Sequence, residues 1–148
     1  VAIGNFDGVH RGHQAVIAEA RRIAAELGAP TSVLTFEPHP RSFFRPNDNP
    51  FRLTPLRLKA HAIEALGVYL LFVVRFDAQF AAYSAERFVA EVIGRAGLGA
   101  RHVVTGYDFV FGKGRSGNAV LLERLAREHG YGYTAVSPVA AESGEIYS

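Results

Sequence analysis

An α/β domain, doubly wound around a mainly parallel sheet of five to six strands, is the fold class this sequence predicts. Three observations predict it. Five short β-rich runs alternate with segments whose apolar residues recur at helical spacing, which is the pattern of crossover connections rather than hairpins. The three loops richest in Gly, Pro and aromatic residues each follow a strand-like run, so they gather at the carboxyl edge of the sheet, where such folds bind ligands. At 148 residues, the chain is long enough for one domain whose core needs neither disulfides nor metals.

The elements follow in order. Val1, Ala2 and Ile3 end a buried strand, and residues 4–13 form a turn that opens a helix. Over residues 14–27, Val16, Ala20, Ile23 and Leu27 mark one helix face, and Gly28 and Pro30 terminate it. Residues 31–36 are a second strand, stopped by the prolines of Glu37-Pro38-His39-Pro40. A polar loop with prolines, 41–53, leads to Thr54 as an N-cap with Pro55 behind it; Ala60, Ile63 and Leu66 form the buried stripe of that helix and Gly67 its stop. The longest apolar run, 68–74, holds a buried third strand over 69–74. Residues 77–83 make a short helix or turn, and Ser84 caps a helix that buries Phe88, Val89, Val92 and Ile93 before Gly97. Residues 102–105 are a fourth strand, 106–117 a loop rich in Gly and aromatics, 118–129 a helix burying Val120, Leu121 and Leu125, and 131–136 a fifth strand.

Composition narrows the classes. Without Cys there is no redox motif, zinc thiolate or secretory disulfide framework, so a reducing cytoplasm is the expected setting. Formal charge is only +2, and the 16 Lys and Arg are interspersed with acids, a balance that does not suggest a nucleic-acid surface. The cluster Arg41, Arg45, Arg52 and Arg57 reads as a solvated face. No apolar run approaches the length of a membrane span and no signal-peptide pattern opens the chain. Val1 already stands in a strand and the chain closes just after Glu145-Ile146-Tyr147, so both ends read as cuts through a longer protein.

The first loop carries the chemistry. Gly4-Asn5-Phe6-Asp7-Gly8-Val9-His10-Arg11-Gly12-His13 joins a strand to a helix, where free backbone N–H groups and the helix dipole stabilise an anion. His10 and His13 fall on one side of the first turn, and Gly12 has no side chain to block a phosphate. A His pair alone is as readily solvated surface or core. Three glycines around an Asp and two His are hard to explain by packing, and they favour the phosphate reading. No third ligand accompanies the pair, so no metal bound directly by protein side chains is expected. In the last loop, Gly112-Lys113-Gly114-Arg115-Ser116-Gly117 matches G-x-G-x-x-G, but a long aromatic insertion separates it from its strand and the next strand ends without an acid for a ribose.

The first loop resembles the H-x-G-H signature of the nucleotidyltransferase superfamily, with its Rossmann-like fold. In its longer form G-N-F-D-G-V-H-x-G-H it is similar to the FMN adenylyltransferase domain of the bacterial riboflavin kinase/FAD synthetase family. Thr35-Phe36-Glu37-Pro38-His39-Pro40 resembles that family's T-F-D/E-P-H-P segment, and Gly106-Tyr107-Asp108-Phe109-Val110-Phe111-Gly112 its G-x-D/N-F-x-F-G segment. The resemblance runs along nearly the whole chain, including Arg52-Leu53-Thr54 and the Arg75-Phe76-Asp77 turn. It implies transfer of the adenylyl group of ATP, carried with Mg²⁺, to FMN as substrate, giving FAD as product. His10 and His13 take the catalytic positions. Gly4, Phe6, Asp7, Gly8, Gly12, Phe36, Gly106, Asp108 and Arg115 fall on the nucleotide side, and Pro38, Pro40, Phe44 and Phe111 on the flavin side. Phe109 reads as core, and Asp7 either faces a metal's water shell or closes an Asx turn.

The resemblance also implies that residues 1–148 are the adenylyltransferase domain, that a covalently linked riboflavin kinase domain follows in the full-length protein, and that a Ser/Thr-rich phosphate turn lies just past Ser148. Two other readings stay open. A cytidylyltransferase shares the first motif but lacks the Pro-His-Pro and aromatic loops. A flavin- or nucleotide-binding module without catalysis is the other.

Overall fold

The computed structural model describes residues 1–46, 55–137, 139–140 and 146–147. Strands β1 (Ala2–Ile3), β2 (Ser32–Glu37), β3 (Leu70–Arg75), β4 (His102–Gly106) and β5 (Gly132–Val136) form one sheet in the order β3-β2-β1-β4-β5. All four pairings are parallel, with Ala2 beside Val33 on one side and Val104 on the other. Among the described residues the sheet has five strands, within the five to six expected, and β6 (Val139–Ala140) and β7 (Ile146–Tyr147) pair with each other, antiparallel.

Alternation of side chains across the pleat produces two cores, as double winding requires. Ala2, Val33 and Val104 face α1 (Arg11–Leu27), with Val16, Ile17, Ala20 and Ile23, and α3 (Leu56–Ala65), with Ile63. Ile3, Leu34 and Val103 face the other way. There they meet the π-helical segment Phe88–Ile93, which continues from α5 (Ala85–Arg87), and helix α6 (Ala119–His129), which supplies Leu122, Leu125 and Ala126. Two short helices, α2 (Pro40–Phe44) and α4 (Ala78–Ala81), decorate the loops after β2 and β3.

The helix starts follow sequence chemistry. Asp77 Oδ1 accepts from the Phe80 N–H at 2.8 Å, Ser84 Oγ from Arg87 at 3.0 Å, and Asn118 Oδ1 from Leu121 at 2.9 Å. Pro55 is the N-cap of α3. The expected cap Thr54, like Arg52 and Leu53, lies outside the described residues.

Four burial expectations are corrected. β3 is not a buried strand but the edge of the sheet, where Leu70 is 40% and Val73 43% exposed. In α1, Leu27 is 36% exposed and Ile17 is buried instead, because the face that meets the sheet ends at Ile23. In α6, Val120 is 78% exposed and Leu121 only partly buried, since the Asn118 cap sets a phase that turns Leu122, Leu125 and Ala126 inward. In α3, the buried positions are Ile63 and, against its type, Lys59.

Candidate active site

The sheet changes winding direction between β1 and β4, so the chains leaving those two neighbours diverge and open a crevice at their carboxyl ends. The turn after β1 lines one side with Gly4, Asn5, Phe6, Asp7 and His10. The loop after β4 lines the other with Gly106, Tyr107, Asp108, Phe109 and Val110. His13, Gly12, His39 and Arg115 complete a cleft of about 410 Å³.

The turn is tightly wound. Phe6 (φ 49°), Gly8 (φ 74°) and Val9 (φ 40°) all have left-handed backbone, a conformation disfavoured above all for β-branched Val9. Packing and a side-chain amide help to hold it. Val9 is buried, and Gln14 Nε2 donates to its carbonyl at 3.2 Å. Phe6 is only 1% exposed, and its ring lies over Gly4, where a Cβ would come within 3.2 Å of it. Phe6 is therefore a core residue that supports the cleft floor and meets the His13 ring edge-on at 5.3 Å, with little surface left for a nucleotide.

His10 is the N-cap of α1 and His13 its N3 residue, and the two imidazoles form a reciprocal capping box. His10 Nδ1 accepts from the Gly12 N–H at 3.1 Å, and His13 Nδ1 accepts from the His10 N–H at 3.2 Å. The Gly12 N–H at the helix opening is thus engaged by His10. The rings stack at 3.7 Å between centroids. An imidazole whose Nδ1 accepts carries its neutral-state proton on Nε2, so both rings are set as Nε2–H donors. Burial, aided by the neighbouring His10, lowers the His13 pKa to about 4, which keeps the ring neutral at physiological pH.

Beside the cleft lies a second cavity of about 850 Å³, walled by Phe36, Phe44, Phe76, Phe80, Tyr83, Phe88 and Phe111. Pro40 from the β2 loop and Gly112 from the β4 loop also line it. Asn5, His39, Phe109, Val110 and Arg115 line both spaces. Phe36 was expected on the nucleotide side, but as the last inward residue of β2 it faces the aromatic cavity, with Phe80 and Phe88 at 5.8 and 6.3 Å. Pro38 lines neither space. Phe111 is 8% exposed and stacks on Phe109 at 5.6 Å, whereas Phe44 is 65% exposed.

Gly112, with φ 79°, packs so closely on Ala85 that a Cβ would lie 2.8 Å from its backbone nitrogen. The loop 112–117 is closed by reciprocal backbone bonds between Phe111 and Gly117 at 3.1 and 2.7 Å, so its glycines make a small hairpin rather than a dinucleotide turn.

Two residues escaped sequence reasoning. His39 caps α2, its Nδ1 accepting from Arg41 N–H at 3.0 Å, and burial lowers its pKa. Its signal was the His between two prolines. Lys59 is buried beneath the turn, and its signal was its place one helical turn before Ile63 on the inner face of α3. Among the described residues, no cluster of three His, Cys, Asp or Glu side chains is arranged to hold a metal ion, and no helix is long and apolar enough to cross a membrane.

A parallel β3-β2-β1-β4-β5 sheet with H-x-x-H opening the helix after its first strand defines the nucleotidyltransferase class of α/β proteins. Within it, the FAD synthetase family profile matches residues 1–148, and the chain belongs to that family. Curated relatives are named bifunctional riboflavin kinase/FMN adenylyltransferase. The Listeria monocytogenes protein is 40% identical over 100% of this chain and 46% of its own length. The Bacillus subtilis protein is 45% identical over 76% of this chain and 35% of its own, and that of Escherichia coli K12 is 38% identical over 91% and 43%. The chain thus spans less than half the length of these relatives.

Two solved structures share the fold. A Streptococcus pneumoniae protein described as a macrolide-efflux protein superposes with TM-score 0.79 at 28% identity, over 98% of this chain and 48% of that one. Thermus thermophilus pantothenate synthetase gives 0.61 at 20%, over 99% and 58%, a likeness of fold alone.

Proposed function

We propose that this domain transfers the adenylyl group of ATP to the phosphate of FMN, giving FAD and pyrophosphate. One observation carries the reading: a cleft floored by two Nε2–H imidazoles adjoins an aromatic cavity large enough for a tricyclic ring, and the two share Asn5, His39 and Arg115 at their seam. A flavin seated among Phe36, Phe44 and Phe111, with Pro40 also lining the slot, directs its phosphate toward that seam. A nucleotide along Gly4, Asp7 and Gly12 on one side, and Gly106, Asp108 and Arg115 on the other, brings its α-phosphorus to the same place; Gly8, expected on the nucleotide side, lines neither space.

The nucleophile is then the substrate's own phosphate oxygen, and no protein nucleophile or general base is needed. It forms a bond to the α-phosphorus as the bond from that phosphorus to the α–β bridging oxygen breaks, and pyrophosphate leaves with the charge. His10 and His13 present their Nε2–H groups at a helix N-terminus and stabilise that developing charge. The remaining contribution is alignment. The lining fits Mg²⁺ carried on the triphosphate: Asp7 and Asp108 place carboxylates along the cleft, where they would face the water shell of a cation held by phosphate oxygens. When bound, the ion neutralises charge on the triphosphate.

The relatives' names support a wider proposal for the whole protein, in a cytoplasmic setting: residues 1–148 are its adenylyltransferase domain and a covalently linked riboflavin kinase domain supplies FMN. Incubation with α-labelled ATP and FMN tests the reading. Label recovered in FAD is the expected result. Flavin binding without transfer would make this a binding module, and preferential use of CTP with another phosphate acceptor would make it a cytidylyltransferase.

A further inference from the structure

Among the described residues, Lys59 is the one charged side chain that is buried, 3% exposed, and neither cavity wall includes it. An ammonium has three hydrogens to place. Lys59 Nζ meets three oxygens: Glu37 Oε1 at 2.8 Å, the Asn5 carbonyl at 3.0 Å and Thr35 Oγ1 at 3.4 Å. The Thr35 hydroxyl donates to that same Asn5 carbonyl at 3.1 Å. Glu37 and Thr35 belong to the end of β2, and Asn5 to the turn after β1. One cation on α3 therefore ties together the two segments that lead into the aromatic cavity and the imidazole cleft.

Stability is a poor reason to keep this arrangement. Taking an ammonium out of water is costly, and well-packed apolar side chains in place of a buried ion pair are often neutral or stabilising. What an apolar side chain cannot do is hold the Asn5 carbonyl in one place. Asn5 lines both spaces, so its position sets how their contents meet. Burial, with a smaller contribution from this cation, opposes protonation of His13 in the cleft and of His39 at the seam.

We infer that Lys59 is a positioning residue: its ammonium pins the Asn5 carbonyl to the end of β2 and so aligns the imidazole cleft with the aromatic cavity for transfer between their occupants. This rests on the adenylyl-transfer reading above. Because Lys59 touches neither space, its removal acts on alignment more than on affinity, and alignment errors of about 1 Å cost on the order of a hundredfold in rate.

K59M and K59R in the full chain test it, compared with the unmodified protein by melting, affinity for FMN and for a non-hydrolysable ATP analogue, and kcat. K59M is expected to bind both ligands within about threefold of the parent while kcat falls by about tenfold or more. K59R, whose guanidinium still donates to Asn5, recovers most of the loss. A folded K59M with kcat within about twofold of the parent overturns the inference, as does a loss confined to ligand affinity.

Should K59M not fold, T35V removes the second donor to the same carbonyl. A lower kcat at unchanged affinities is expected of it, and an unchanged kcat overturns the inference. If the unmodified protein transfers no adenylyl group, the functional reading fails instead. Amide hydrogen exchange then decides: loss of the clamp in K59M or T35V accelerates exchange over residues 5–9, and unchanged exchange overturns the clamp itself.

Discussion

His13 shows how much one residue's position in a helix can decide. At N3 of α1 its Nδ1 is committed to the His10 N–H, so the ring presents the Nε2 proton, and burial keeps it neutral. Changing His13 to Ala is expected to lower adenylyl-transfer turnover by about a hundredfold or more while leaving FMN affinity near its parent value, because the imidazole acts on charge that develops at the phosphates. Steady-state rates equal to the parent's would remove His13 from the mechanism. The same ring has a consequence for stability. Between its ordinary value of 6.5 and its folded value of about 4, the unfolded chain takes up a proton that folded His13 refuses. Folding stability therefore falls as pH drops through that window and is unaffected by this group above it. His39 and His102 shift in the same direction, so the readout is a difference: urea unfolding of H13Q from pH 4 to 6.5 should lose part of the parent's pH slope. An identical slope would show that His13 titrates normally.

At the scale of elements, two loops contribute aromatic rings of opposite character. Phe44, on α2, is 65% exposed and touches Phe43 and Phe76 edge-on at 5.1 and 5.7 Å. Phe111, after β4, is enclosed between Phe88 and Phe109 at 5.4 and 5.6 Å. F44A is expected to weaken FMN binding by about 1–3 kcal/mol with melting and nucleotide affinity little changed. F111A should also destabilise the fold by about 3–5 kcal/mol, since it empties part of the core. Flavin fluorescence titration together with urea unfolding separates the two, and F44A with normal FMN affinity would place the flavin elsewhere. The β4 loop also depends on a close approach. G112A puts a methyl group 2.8 Å from the Ala85 nitrogen at a φ of 79° and is expected to lower the melting temperature, whereas an unchanged melt would mean that α5 yields to it.

Over the whole molecule, the arrangement is two adjoining spaces at the carboxyl edge of one sheet, the cleft at the winding reversal between β1 and β4 and the aromatic cavity beside it. Two spaces predict two ligands held together. FMN and a non-hydrolysable ATP analogue should each stabilise the fold, by about 2.7 kcal/mol at a hundred times its dissociation constant, and their effects should add when both are present. Thermal shift measurements check this. Mutual exclusion, in which a saturating concentration of one abolishes the shift from the other, would mean that they compete for a single space.

Periodicity and punctuation by themselves determined the order of strands and helices, because an amphipathic segment must turn its apolar face to a layer and Gly, Pro and Ser, Asp or Asn caps mark where it stops. The five sheet strands, the cap at Ser84, and the gathering of three loops at one edge were legible for that reason. The H-x-x-H turn was legible because its glycines and its place after a strand constrain it locally. Only the tertiary structure decided which strand lies at an edge, and so exposed Val73 where an apolar run had suggested burial, since strand order depends on partners distant in sequence. It also turned Phe6 into core and moved Phe36 from the nucleotide side to the aromatic cavity. Lys59 is the furthest from a sequence reading. Its burial is tolerable only because Glu37, Thr35 and the Asn5 carbonyl, 22, 24 and 54 positions away, converge on one ammonium, and such convergence exists only once the chain has folded.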